Sequence, residues 1–209
     1  MSEETTEKKI LKGTTTVGVV FNNGVVVAAD KRATMGYFIA GKAVDKIFEI
    51  GDKIVMTTAG GVGDAQALVR LMKAELELYK YNSREQLTVE GAATLLANIL
   101  QGHKYFPYYV QLIVAGHDGE PHLFDLDLAG GLMPDKVVST GSGSVTAYGI
   151  LDEGFKEGMP QEDAVKLAAR AVNAAMRRDS ATGEGIDVVC VTGSEVKRYS
   201  KQEVQALLV

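Results

Sequence analysis

Hydrophobic positions along the chain follow two periods, which alternate in blocks. Thr14 to Phe21 is β-branched and apolar. Asn22-Asn23-Gly24 interrupts it and Val25 to Ala29 resumes it, which predicts a hairpin. Lys46 to Ile50 and Lys53 to Ala59 repeat the arrangement about Gly51-Asp52. After Gly60-Gly61-Val62-Gly63 the period changes. Ala65, Leu68, Met72, Leu76 and Tyr79 recur at helical spacing between Asp64 and Tyr81. Thr88 can cap a second helix carrying Leu95, Leu96, Ile99 and Leu100. Strands return at Val110 to Ala115 and His122 to Leu128, about the turn His117-Asp118-Gly119, with a shorter one at Val137 to Thr140. Ser144 to Phe155 and Pro160 to Arg178 read as helices. Pro160 suits a first turn, and Glu162 and Asp163 favour the positive end of the dipole. Ile186 to Thr192 is a strongly apolar strand, Val196 to Tyr199 a shorter one, and Gln202 to Leu208 a terminal helix.

The order is strands, two helices, strands, two helices, strands. Such segregated runs predict an α+β layering and not a doubly wound parallel sheet. Two antiparallel sheets packed on each other, with a helix pair on each outer face, bury every apolar stripe. No linker, repeat or low-complexity block divides the chain, so one domain is expected. Its 209 residues are 46% hydrophobic and 23% charged, enough for a sizeable core. The net charge of −5 argues against a nucleic-acid groove or an anionic membrane surface. No apolar run approaches the roughly 20 residues that span a bilayer. One cysteine excludes an internal disulfide and fits a reducing, cytoplasmic setting; with three scattered histidines it makes structural zinc improbable. No metal or cofactor is expected.

The first thirteen residues, MSEETTEKKILKG, are polar and lack the apolar stretch of a secretory signal. By composition they are a frayed end or a short leader closing at Gly13. Hydrolase and nucleotide motifs are missing: there is no Gly-x-Ser-x-Gly elbow, no His-Glu-x-x-His, and no Lys-Ser/Thr ending after the Gly60 loop. Cys190 lies inside an apolar strand and reads as a buried structural thiol. His103, His117 and His122 stand in polar or turn contexts and read as surface residues. What remains is Thr14, Asp30 and Lys46, sixteen residues apart at the ends of neighbouring strands. Singly, they read as a strand former, a turn residue and a solvated charge.

Together with their surroundings these residues resemble the N-terminal nucleophile hydrolases, and in particular the β subunits of the 20S proteasome of archaeal type. Six stretches carry the likeness in order: 13–18 (GTTTVG), 29–34 (ADKRAT), 46–48 (KIF), 58–61 (TAGG), 141–144 (GSGS) and 178–183 (RDSATG). A bacterial two-ring ATP-dependent protease shares the Thr-Thr start and the Asp and Lys positions, but not the pattern at 178–183. A non-catalytic ring subunit is the alternative from another class, although it would be expected to have lost Thr14, Asp30 or Lys46.

The resemblance implies a four-layer αββα sandwich, residues 1–13 as a propeptide cut by the chain itself between Gly13 and Thr14, and a domain spanning 14–209. It implies Thr14 as nucleophile, with its own freed amine as base, Lys46 as a neighbouring cation and Asp30 as the partner of Lys46. Ser142 and Asp179 would orient the amine, with Thr182, often Ser in the family, in support. Gly60 would offer an oxyanion N–H. Thr34 and Gly60 would hold the substrate backbone, and Ala33, Val44, Phe48, Thr58 and Val62 would line an uncharged pocket favouring cleavage after hydrophobic residues. The partners implied are a homo-heptameric β ring, α subunits in a 28-subunit particle, an ATPase ring reached through the α ring, and unfolded protein substrates.

Overall fold

The computed structural model describes residues 13–208. Residues 1–12 of the expected leader, and Val209, lie outside the described residues. In chain order, β1 (Thr15–Phe21) and β2 (Gly24–Asp30) make the first hairpin, and β3 (Ala33–Met35) and β4 (Phe38–Gly41) a small second one. β5 (Ile47–Gly51) and β6 (Ile54–Gly60) follow, then α1 (Val62–Ser83) and α2 (Val89–Gly102). Next come β7 (Val110–His117), β8 (Pro121–Leu126), β9 (Leu132–Pro134) and β10 (Val137–Gly141). The chain continues with α3 (Ser144–Gly154), α4 (Gln161–Met176), β11 (Ile186–Thr192), β12 (Val196–Arg198) and α5 (Lys201–Leu207).

Two five-stranded antiparallel sheets result, ordered β10-β1-β2-β11-β12 and β5-β6-β7-β8-β9, with β3-β4 as a separate pair. Every residue of β1 and β2 is buried, because both faces of that hairpin are covered. Val17, Val19, Val26 and Ala28 pack against α3 and α4, while Val20, Val25, Val27 and Ala29 meet Val55, Ile113 and Leu123 of the second sheet. A third apolar layer joins that sheet to α1 and α2 through Leu68, Met72, Leu96 and Leu100. The molecule is therefore a four-layer αββα sandwich, as expected, with α5 added to the α3–α4 side through Val204.

Helix ends follow the sequence signals. The Thr88 hydroxyl accepts from the Gly91 N–H at 3.0 Å, as the cap of α2. Glu162 and Asp163 occupy the first turn of α4. Alanines at 164, 168, 169, 171 and 175 let α4 lie close on β1 and β2. Tyr79 departs from the expected stripe. It is 41% exposed, beyond Leu76, the last buried residue of α1. Among the described residues no helix is long and apolar enough to cross a membrane.

The layering fixes where a site can form. At one end of the sandwich β1 begins while β2, β6 and β10 finish, so four strand termini converge beside the gap between the sheets.

Candidate active site

Thr14 immediately precedes β1 and is 4% exposed. Its hydroxyl donates to the Gly13 carbonyl at 2.6 Å, and its backbone N–H to Ser142 Oγ at 3.4 Å. The Gly13 N–H donates to Thr34 Oγ1 at 2.9 Å. A Cβ on Gly13 would lie 1.7 Å from that of Ala181, so only glycine fits before Thr14.

Asp30 ends β2 across the ladder from the start of β1 and is fully buried. Its carboxylate accepts four hydrogen bonds. The Thr15 N–H and Lys46 Nζ reach Oδ1 at 3.0 and 2.6 Å; the Arg32 and Gly183 N–H groups reach Oδ2 at 3.0 and 2.9 Å. A buried carboxylate is tolerated only when its lone pairs are filled in this way. Lys46, 5% exposed, also donates to the Arg32 carbonyl at 2.7 Å. Burial holds its ammonium below the usual lysine value of 10.5, against the opposing pull of Asp30. A third N–H of the ammonium remains after these two bonds. Lys46 does not come from a strand beside β1 and β2, as its spacing suggested. It precedes β5, in the other sheet, so the ion pair stitches the two sheets together.

A second cluster forms where α4 gives way to the 179–183 loop. Asp179 Oδ2 accepts from Ser142 Oγ and Thr182 Oγ1, each at 2.5 Å, and Oδ1 from the Ala181 N–H at 3.1 Å. Arg32 holds this loop down. It donates to the Ser180 carbonyl at 2.6 Å and pairs with Glu184 at 3.1 Å, with its guanidinium flat against Gly183. Positive φ at Gly141 (+89°) brings Ser142 into place, and a Cβ there would strike the Thr14 carbonyl at 2.1 Å.

Gly60 closes β6 at φ +121°, where a Cβ would meet the Tyr109 carbonyl at 2.2 Å. Strand parity fixes its N–H. The Gly61 N–H bonds to Tyr109 in β7's approach, whereas the Thr58 N–H bonds to the Lys46 carbonyl on the opposite edge. The Gly60 N–H shares the Thr58 edge, and β5 begins only at Ile47, opposite Thr57, so no strand residue faces it.

A cavity of about 270 Å³ opens beside Thr14 and Lys46. Ala33, Thr34, Val44, Phe48, Thr58, Gly60 and Val62 all line it. Its wall is less uniformly apolar than expected, because Arg32, Asp45 and Gln66 also reach it. A larger cleft of about 510 Å³ between α3, α4 and α5 carries Arg170, Arg177 and Arg178 and none of Thr14's partners. Among the described residues no cluster of His, Cys, Asp and Glu could hold a metal. The sequence reasoning did not single out Thr15, Arg32 or Gly183, all bound to the two carboxylates directly or through Thr182. All three reach Asp30 through a backbone N–H, for which no side-chain signal exists.

Two stacked antiparallel sheets between two helical layers are the four-layer fold of the N-terminal nucleophile sandwich. A family model described as "Proteasome subunit" matches residues 10–191. The chain is 51% identical to the "Proteasome subunit beta" of Archaeoglobus fulgidus over 97% of its own length and 96% of that protein's. It is 52% identical to that of Methanohalophilus mahii over 96% of each, and 47% identical to that of Methanosarcina barkeri over 95% of each. The chain belongs to the proteasome subunit family, and within it to the β subunits.

Proposed function

We propose that this chain is a catalytic β subunit, a threonine endopeptidase that activates itself by cutting between Gly13 and Thr14. The observation that carries the reading is local. The Thr14 hydroxyl rests 2.6 Å from the carbonyl oxygen of the bond to be broken, in a cavity that Lys46 also lines. In self-cleavage, Oγ1 loses its proton and adds to the Gly13 carbonyl carbon. The C–N bond breaks and the nitrogen takes up the proton. The resulting Gly13 ester is then hydrolysed by water, which frees the hydroxyl. Residues 1–13 leave as a propeptide.

The same step creates the base. An amide nitrogen is not basic, whereas a free α-amine titrates near about 8. Lys46, held charged and oriented by Asp30, disfavours the protonated amine and stabilises negative charge on Oγ1. Ser142 and Asp179, supported by Thr182, orient the amine. In turnover the amine accepts the hydroxyl proton, directly or through a water, and Oγ1 attacks the substrate carbonyl. The oxyanion faces the Gly60 N–H. The amine protonates the leaving nitrogen, and water resolves the ester. Thr34 and Gly60 hold the substrate as an added strand.

Ala33, Val44, Phe48, Thr58 and Val62 give the cavity an apolar floor, which supports a chymotrypsin-like preference for cleavage after hydrophobic residues; charged side chains would be rejected by desolvation. The relatives are named as proteasome subunits, and family membership implies a multi-subunit particle. We assign the chain to a homo-heptameric β ring between α rings in a 28-subunit, cytoplasmic particle, fed with unfolded proteins by an ATPase ring.

The test is the chain assembled with its α partner. The β subunit should lose the mass of residues 1–13 and the particle should cleave a fluorogenic hydrophobic peptide. Thr14→Ala should retain the leader and lose the activity. Retention of the leader in wild-type particles, with no peptidase activity, would establish an assembly subunit instead.

A further inference from the structure

We propose that Thr15 is a positioning residue for the Thr14 amine, acting through Thr182 and Asp179; this rests on the reading of Thr14 as nucleophile. Strand alternation separates the three consecutive threonines. Thr16 turns toward the second sheet, bonding Thr57 and Thr140 at 2.9 and 2.6 Å. Thr15 turns to the opposite face, the one covered by α4, and is fully buried there. Its Oγ1 lies 2.8 Å from Thr182 Oγ1.

The direction of the hydrogen bonds follows from counting protons. A hydroxyl has one proton to give. Thr182 gives its proton to Asp179 Oδ2, so the proton between Thr15 and Thr182 belongs to Thr15. Ser142 likewise gives its proton to Oδ2 at 2.5 Å, and not to the Thr14 carbonyl at 3.4 Å, so its lone pairs face the Thr14 nitrogen. The chain Thr15 → Thr182 → Asp179 ← Ser142 ← Thr14 N is thereby polarised toward one carboxylate oxygen. Gly143 locks the far end. A Cβ there would lie 2.1 Å from Thr15 Oγ1, 2.9 Å from the Ala175 Cβ and 3.2 Å from Thr182 Oγ1, so any side chain at 143 would collide with the Thr15 hydroxyl. The Thr15 N–H, meanwhile, donates to the Asp30 oxygen that also holds Lys46. One residue touches both charged clusters.

Hydrogen bonds in such a chain reinforce one another. Without the Thr15 donor, Thr182 binds Asp179 less tightly, and more of the Asp179 charge is felt by the amine through Ser142. The protonated amine is then favoured, and it is the form that cannot act as base. Asp179, the Asp30–Lys46 pair, and Arg32 and Asp45 on the cavity wall are the charged groups around that amine. Thr15→Val removes none of them.

The experiment uses particles whose β chains have Thr14 exposed by removal of a fused carrier, so that self-cleavage is not required. Peptide hydrolysis is measured against pH for wild type, Thr15→Val, Thr15→Ser, Thr182→Val and the double valine variant. Thr15→Val should lower kcat about three- to tenfold, the worth of one hydrogen bond, at nearly constant KM. It should also move the acid limb of the pH profile upward, and Thr15→Ser should restore most of the rate. On top of Thr182→Val, Thr15→Val should add less than about twofold, because both act along one chain. An unmoved acid limb, or full additivity with Thr182→Val, overturns the proposal. Should Thr15→Val not assemble, Thr15→Cys, a weak donor, is read in the same way. Thr14→Ala in the same assay separates the two claims. Undiminished activity there removes the nucleophile reading itself. A dead Thr14→Ala particle beside an unaffected Thr15→Val removes only the role given to Thr15.

Discussion

Asp30→Asn strips one charge from the buried pair and preserves its shape. Four donors converge on the Asp30 carboxylate, two on each oxygen. An amide offers one oxygen, so its NH₂ must face two donors, and the Lys46 ammonium, 5% exposed, loses its counter-charge. Breaking a buried pair from one side costs about 3–5 kcal/mol. At about 2–4 °C per kcal/mol for a domain of this size, the thermal midpoint should fall by roughly 6–20 °C. Burial already holds Lys46 below 10.5, and removing Asp30 lowers it further. Between the native value and 10.5 the unfolded chain binds more protons than the folded one, so stability rises with pH across that window. In Asp30→Asn the window opens at lower pH. The deficit relative to wild type should therefore shrink as pH is raised from about 7 to about 10, with melts of both full-length chains at equal concentration. A loss below about 1 kcal/mol would refute the claim that the pair is a buried, mutually dependent unit. A deficit constant with pH would place the cost in lost hydrogen bonds and not in the unpaired charge.

Gly60→Ala should destabilise the chain by at least about 1–3 kcal/mol, from the left-handed backbone and the collision with the Tyr109 carbonyl. A denaturant midpoint equal to the parent's would show that the β6 end can relax without loss. Cys190 is 1% exposed, and its thiol is pushed up to about 12 by burial. An alkylating reagent should label it only after denaturation; rapid labelling of the folded chain at neutral pH would show that β11 opens. Although Asp45 and Arg32 share the cavity wall, the floor is apolar, so peptides bearing Leu, Arg and Glu before the scissile bond should be cut in a ratio strongly favouring Leu. Equal rates would mean that the wall, and not the floor, receives the side chain.

The fold was legible wherever burial imposes a single period. β1, β2, β6 and β11 lie between two covered faces, so they read as continuous apolar runs, and α4 reads as a helix because its apolar positions recur on one side. Legibility failed where that condition fails. β3 and β4 carry Met35 and Phe38 at 68% and 67% exposure about a turn at Gly36, and they pair with neither sheet. β9 has three residues after Gly130-Gly131, too few to show alternation.

The candidate site divides in the same way. Asp30 could be placed from the hairpin alone, since the pairing of Thr16 with Ala29 puts the next residue of β2 across from Thr15. Lys46 could not, because the packing of one sheet on another decides its position and no register connects β5 to β1. Ser142, Asp179 and Thr182 are separated from Thr14 by more than a hundred residues, and only their likeness to a family brought them forward. Thr15 marks a subtler limit. In composition it is indistinguishable from Thr14 and Thr16, and a run of β-branched residues reads as a strand and nothing more. Yet alternation alone assigns it to the face opposite Thr16. Combined with Gly143, where a side chain would collide with its hydroxyl, that assignment places Thr15 in a polar network in an otherwise apolar layer. A buried hydroxyl is kept in such a layer at a cost unless it has a partner, and the partner it has leads to Asp179.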